Sequence, residues 1–189
     1  MSLIEAAATV ATVASVLLTV RRSLWQYPVG IAATALFFVV FWQVRLYASA
    51  ALQIVFLAVQ LYGWWFWLYG AAGGRPAIRS WPPVRIGAIV LGMMVLGAAG
   101  SWILGRTTDA RLPLADCMIL SLSLGAQFLL DRKILEHWAV WALVNVASIF
   151  VYASQGLQLT AALYVALLAN TVWGWWVWRR AWRADSVSA

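Results

Sequence analysis

Gly63-Trp64-Trp65-Phe66-Trp67 and Gly174-Trp175-Trp176-Val177-Trp178 are one phrase written twice, 111 positions apart. The register extends outward from these tryptophans. Arg21 falls on Arg132, Leu18 on Leu129, Leu46 on Leu157, and Ala51-Leu52 on Ala162-Leu163, so residues 21–67 and 132–178 carry the same pattern. Each copy is almost entirely apolar. A duplicated block of membrane-spanning segments is the construction of many transporters, with the solute held between the two copies.

Composition leads to the same class. The 189 residues are 65% hydrophobic and only 10% charged, and the mean hydropathy is +0.85. A soluble domain of this size carries about 25% charged residues, so a water-facing surface and a soluble core do not both fit. The chain reads as a polytopic helical membrane protein embedded in a lipid bilayer. Its net charge of +7 comes from basic residues in the short connections between apolar runs. That distribution belongs to membrane orientation and not to a nucleic-acid surface. The single cysteine, Cys117, excludes an internal disulfide. One Cys and one His fall short of a structural zinc site, and the sequence calls for no metal or other cofactor. Glu5 precedes any Lys or Arg, so residues 3–20 read as a retained span, not a cleaved leader.

Cutting at charges, Pro and Gly yields seven spans of roughly 20 residues: about 3–20, 24–43, 46–70, 84–105, 112–131, 134–155 and 157–178. The Ala71–Pro83 connection is the sizeable loop, broken by Gly73-Gly74, Pro76 and Pro82-Pro83. Organisation follows from the repeat: residues 1–70 form a first three-helix bundle, 71–111 a loop and a linker helix, 112–180 a second three-helix bundle, and 181–189 a tail. One side of the membrane collects Arg21, Arg22, Arg75, Arg79, Arg85, Arg132, Lys133, Arg179, Arg180 and Arg183; the other has Arg45, Arg106 and Arg111. The positive-inside rule places the first set and the C-terminus in the cytoplasm, and the N-terminus outside. Helices 1–3 map onto helices 5–7 across an even number of spans, which makes this a parallel repeat. Gly87, Gly92, Gly97 and Gly100 suit helix 4 to close packing.

Polar side chains within spans are costly unless they face a cavity or another helix. At 100° per residue, Trp138, Trp141, Asn145, Ser148 and Tyr152 of helix 6 share an arc of about 80°. Gln53, Gln60, Trp64 and Trp67 form a stripe on helix 3, Tyr164, Thr171, Trp175 and Trp178 its equivalent on helix 7, and Asp116, Ser123 and Gln127 share a face of helix 5. Such residues either line a solute path or hydrogen-bond between helices for about 1 kcal/mol each. The Gly-Trp-Trp clusters at helix ends also suit an aromatic belt or packing. His137, beside Lys133 and Glu136, reads as interfacial and not catalytic. Mid-span Asp, Glu, Lys and Arg are missing from the sequence, which leaves facilitated diffusion as the simplest transport mechanism. There is no phosphate-cradling Gly-Lys-Ser/Thr loop, and no Ser-His-carboxylate arrangement that marks a hydrolase. A lipid-modifying enzyme would have to be built on His137, Glu136 and Asp131; a purely structural protein would fill its polar stripes with mutual contacts.

Several stretches together resemble the bacterial PnuC family of nicotinamide riboside transporters: Trp25 through Trp67, with Leu46-Tyr47-Ala48 and Leu61-Tyr62-Gly63-Trp64; Ala126-Gln127-Phe128-Leu129-Leu130; and Glu136 through Tyr152. Within the last, Trp138-x-x-Trp141-x-x-x-Asn145 resembles the family's substrate-binding signature. The resemblance implies an all-α fold of seven transmembrane helices related to the SWEET sugar transporters, with two three-helix repeats joined by a linker helix. It implies a homotrimer in the bacterial inner membrane, and vitamin uptake by facilitated diffusion with trapping by a cytoplasmic kinase. It also implies substrate contacts from Gln127, Trp138, Trp141 and Asn145. Facing and depth extend that set to Gln60, Ser148, Tyr152, Tyr164, Asn170 and Thr171, with Asn170 well off the helix 7 stripe. The chemistry agrees. Nicotinamide riboside has a cationic ring, a carboxamide and a ribose; indole faces attract cations by about 2 kcal/mol when desolvated, and Asn and Gln match a carboxamide in both donor and acceptor. Thiamine and riboflavin remain alternatives, since no residue of the sequence excludes them.

Overall fold

The computed structural model describes residues 3–43, 47–70, 76–107, 112–154 and 158–187. Arg45, Arg75, Arg111, Gly73-Gly74 and the Leu46–Leu157 correspondence lie outside them. Seven helices are present among the described residues: α1 (Leu3–Val20), α2 (Gln26–Gln43), α3 (Tyr47–Tyr69), α4 (Pro83–Thr107), α5 (Pro113–Asp131), α6 (His137–Ser154) and α7 (Gln158–Val187). They match the expected spans within three residues at nearly every end. The exception is α7, whose helix runs nine residues past the expected span end at Trp178. Arginines end an apolar span, but Arg179, Arg180 and Arg183 are good helix formers, and no Gly or Pro interrupts the run.

The 111-residue shift is geometric as well as compositional. It carries both ends of α2 onto both ends of α6, and the start of α3 onto the start of α7. The connection preceding α2 is reproduced bond for bond before α6. Arg22 and Lys133, equivalent under the shift, are the two non-glycine residues with positive φ among those described, at 55° and 54°. Arg22 N–H donates to Thr19 O at 2.9 Å and Ser23 N–H to Leu18 O at 3.0 Å; Lys133 N–H donates to Leu130 O at 2.8 Å and Ile134 N–H to Leu129 O at 2.9 Å. This is a Schellman cap, which satisfies the carbonyls that a helix end leaves open.

The chain divides into two compact units, Met1–Ala77 and Ile78–Ala189. In the first, α2 packs against both α1 and α3; in the second, α6 packs against both α5 and α7, and α4 packs along α5. Small residues make the α4–α5 approach close. A Cβ on Gly97 would stand 2.6 Å from Ser121 Oγ and 3.0 Å from Cys117 O, and one on Gly125 of α5 would stand 2.8 Å from Met93 Cγ. Gly100 is also in range of Cys117, whereas Gly87 and Gly92 face open space. Among the described residues, the packing role expected of all four α4 glycines therefore falls to the two on the side of α4 that meets α5, Gly97 and Gly100.

A second contact clips the start of α4 to the α5–α6 turn. Arg79 N–H donates to Lys133 O at 3.0 Å, and Leu135 N–H returns the bond to Arg79 O at 2.8 Å. The Glu136 carboxylate accepts from the Ser80 hydroxyl and, at 3.1 Å, from Trp81 N–H. Below the clip, Ala126, Leu129, Ile134 and Val140 form a buried cluster flanked by Trp81, Ile86, Ile89, Val90 and Trp141.

The exterior is apolar. Val84, Leu91, Val95 and Trp102 of α4, and Phe150 of α6, are all exposed, the surface a protein presents to lipid. Among the described residues α4, α5 and the Ala161–Asp185 part of α7 are long and apolar enough to cross a membrane; Ala6–Val20, Gln26–Val40 and His137–Val151 are shorter apolar helical stretches.

Candidate functional site

The helix 6 stripe turns inward. Trp138 is 3% exposed, Asn145 4% and Ser148 0%. Asn145 Nδ2 donates to Thr171 Oγ1 of α7 at 3.0 Å. The Thr171 hydroxyl proton is already committed to Leu167 O at 2.8 Å, so Thr171 Oγ1 must accept, and the orientation of the Asn145 carboxamide follows: nitrogen toward Thr171, oxygen away from it. The oxygen is left as an acceptor, the negative end of a held dipole. One turn further along α6, Ser148 Oγ is buried without a hydrogen-bond partner, and on α7 both polar atoms of the Asn170 side chain are in the same condition. Buried polar atoms left unpaired are costly and mark places for water or a ligand.

Trp138 sits deeper in the packing than a residue lining an open path. Its six-membered ring lies where a side chain at Gly174 would be, so glycine there is required. Trp138 also meets Trp178 edge-on, with centroids 5.9 Å apart at 81°. The first repeat builds the same joint from the equivalent residues: Tyr27 meets Trp67 at 5.5 Å and 78°. Trp67 and Trp178 are thus core residues, 1% and 0% exposed, while Trp65 and Trp176 of the same clusters are more than half exposed. The indole N–H of Trp138 has no hydrogen-bond partner.

His137 corrects an expectation. It is fully buried within the protein and not on its exposed surface. Nδ1 donates to Ile134 O at 2.7 Å, and the ring is 4.8 Å from that of Trp178 at 69°. Position at a helix end suggested a surface; the Trp138–Trp178 joint closes over the ring instead.

The remaining candidates are distributed differently. Trp141 is half-buried against the α5–α6 cluster. Gln127 of α5, also half-buried, donates to Asp131 Oδ1 at 2.9 Å, and Asp131 is fully buried at the helix end. Tyr164 is half-buried on α7, and the Tyr152 side chain lies outside the described residues. Gln60 belongs to the first unit, where its Nε2 donates to Thr34 Oγ1 of α2 at 2.7 Å. Thr34 escaped sequence reasoning, although the repeat pointed at it: under the 111-residue shift Thr34 falls on Asn145 as Gln60 falls on Thr171. No group of three or more His, Cys, Asp or Glu that would hold a metal ion occurs among the described residues.

Two three-helix repeats, a linker helix and inward amides in an apolar shell define a membrane solute transporter, not an enzyme. The model of the nicotinamide mononucleotide transporter family matches residues 2–180, and the chain belongs to that family, the PnuC transporters. It is 28% identical over 193 aligned positions to the nicotinamide riboside transporter PnuC of Escherichia coli (strain K12), covering 88% of this chain and 81% of the relative. It is 30% identical over 165 positions to the riboflavin/roseoflavin transporter RibM of Streptomyces davaonensis, covering 83% and 76%. The crystal structure of the vitamin B3 transporter PnuC has the same fold, with a TM-score of 0.72 at 22% identity over 96% of this chain and 82% of that one.

Proposed function

We propose that this protein takes up nicotinamide riboside across the bacterial cytoplasmic membrane by facilitated diffusion, working by alternating access. Its N-terminus is outside, its C-terminus is cytoplasmic, and three copies assemble. Intracellular phosphorylation then adds charge and retains the product. The observation that carries the reading is the Asn145–Thr171 pair. It presents an oriented carbonyl oxygen in a buried, uncharged setting, suited to a carboxamide N–H or a ribose hydroxyl and attractive to a cationic ring. Trp141 supplies indole on the same helix face, and the more deeply packed Trp138 contributes its N–H, a donor awaiting an acceptor. Ser148 and Asn170 add unpaired polar atoms; Gln60, Gln127, Tyr152, Tyr164 and Thr171 complete the proposed contact set. Similarity to the E. coli nicotinamide riboside transporter supports the choice of solute.

The test is uptake of labelled nicotinamide riboside into liposomes holding the purified protein. Asn145→Ala is expected to lower uptake at subsaturating solute at least tenfold, the cost of about 1.4 kcal/mol or more of lost binding. Absence of uptake by the unmodified protein, or uptake indifferent to Asn145→Ala, refutes the assignment. A second reading, riboflavin, is favoured by the similarity to RibM; thiamine, cationic and aromatic, is a third. Competition among the three vitamins for the labelled solute separates them.

A further inference from the structure

The two repeats make the same hydrogen bond with the partners exchanged. In the first, an amide on α3 (Gln60) donates to a hydroxyl on α2 (Thr34) at 2.7 Å; in the second, an amide on α6 (Asn145) donates to a hydroxyl on α7 (Thr171) at 3.0 Å. All four residues are related by the single 111-residue shift. The exchange has a steric counterpart. Gln60 Oε1 occupies the place that a Cβ on Gly30 would take, and Ser15 Oγ is 2.9 Å from the same point. Gly30 is therefore the seat of the Gln60 carboxamide. Its equivalent in the second repeat is Trp141, where the shorter Thr171 leaves no amide to seat and an indole stands instead. Ser15 is itself held by donating to Gln26 O at 2.9 Å.

We infer that Thr34 and Gly30 are positioning residues that hold the Gln60 carboxamide in one orientation, and that this held amide is the first repeat's contribution to solute selection. The inference rests on the carrier reading above. A free glutamine has three side-chain torsions to order when solute binds. With its nitrogen tied to Thr34 and its oxygen seated over Gly30, that ordering is complete beforehand, and one N–H and the carbonyl oxygen remain for a carboxamide or a ribose hydroxyl. The first repeat thus offers an oriented amide of its own, on α3 and not on α2.

Transport kinetics in proteoliposomes test this, using whichever of nicotinamide riboside, thiamine and riboflavin the unmodified protein carries. Thr34→Val keeps the shape and removes the acceptor; Gly30→Ala displaces the amide oxygen while improving helix propensity. Both are expected to raise KM roughly three- to tenfold with the maximal rate within about twofold, and Thr34→Ser is expected to restore the original KM. The double substitution Thr34→Asn with Gln60→Thr copies the second repeat's arrangement. It is expected to keep the thermal midpoint in detergent yet leave KM raised, because the amide has moved to the other helix. An unchanged KM in Thr34→Val overturns the inference, as does a raised KM that the double substitution fully repairs, since then the bond serves stability alone. If the unmodified protein carries none of the three vitamins, the carrier reading falls first and the inference with it.

Discussion

Arg22 and Lys133 adopt left-handed backbone, where a Cβ crowds the neighbouring carbonyl and glycine is the usual occupant. The cap needs that conformation; in the proposed topology the positive charge serves orientation at the membrane, and the two demands meet at one residue. Arg22, exposed, separates them. Arg22→Gly is expected to stabilise the folded protein by about 1 kcal/mol, read as a higher thermal midpoint in detergent. Arg22→Ala retains the strain and is expected to bring no such gain. An equal response from both variants contradicts the strained cap. No feature of the local sequence announced this conformation, because Arg-Arg and Arg-Lys read only as charge. Asn145 was the opposite case: a lone amide in an apolar helix had few alternatives to facing inward, and its spacing from Trp141 and Trp138 showed which way.

At the scale of elements, the α4–α5 interface is asymmetric in its glycines. Gly97 meets backbone and side chain of α5, while Gly92 meets nothing within reach of a Cβ. Gly97→Leu is therefore expected to cost about 1–3 kcal/mol through overpacking against Cys117 O and to lower the thermal midpoint. Gly92→Leu is expected to leave it unchanged or raise it, by up to about 1 kcal/mol of helix propensity. Similar losses from both substitutions contradict the packing described. The clip formed by Arg79, Ser80 and Trp81 on the α5–α6 turn belongs to the same scale. It gives Glu136 a structural duty, as acceptor for Ser80 and Trp81, that its position beside His137 had left open. Helix existence and order were legible because seven apolar runs are separated by charge, Pro and Gly. The end of α7 was not: the criterion that ends a membrane span does not end a helix.

For the whole molecule, the proposed mechanism makes a quantitative statement about driving force. A cation moving through an uncoupled carrier equilibrates with the membrane potential, which contributes about 2.3 kcal/mol per charge for each 100 mV. In proteoliposomes with an inside-negative potential of about 100 mV and no proton or sodium gradient, free nicotinamide riboside is expected to accumulate roughly fiftyfold. Collapse of the potential is expected to return the ratio to one. Accumulation that persists without the potential, or that requires an ion gradient, contradicts facilitated diffusion. A neutral vitamin carried by the same path is expected to equilibrate without concentrating, so the experiment also separates riboflavin from the cations.

By itself the sequence determined the class: a membrane protein of seven helices, built as two three-helix repeats joined by a linker helix. Hydropathy and a fixed repeat carry that information locally, residue by residue. Tertiary structure alone decided how the side chains are used. Trp67 and Trp178 became core joints while Trp65 and Trp176, two residues earlier in each copy, stayed exposed. His137 was enclosed, and Thr34 emerged as the partner of Gln60. Burial and hydrogen-bond partnership depend on what a neighbouring helix brings to the same height, 26 residues away along the chain for both amide–hydroxyl pairs, and no local pattern encodes that distance.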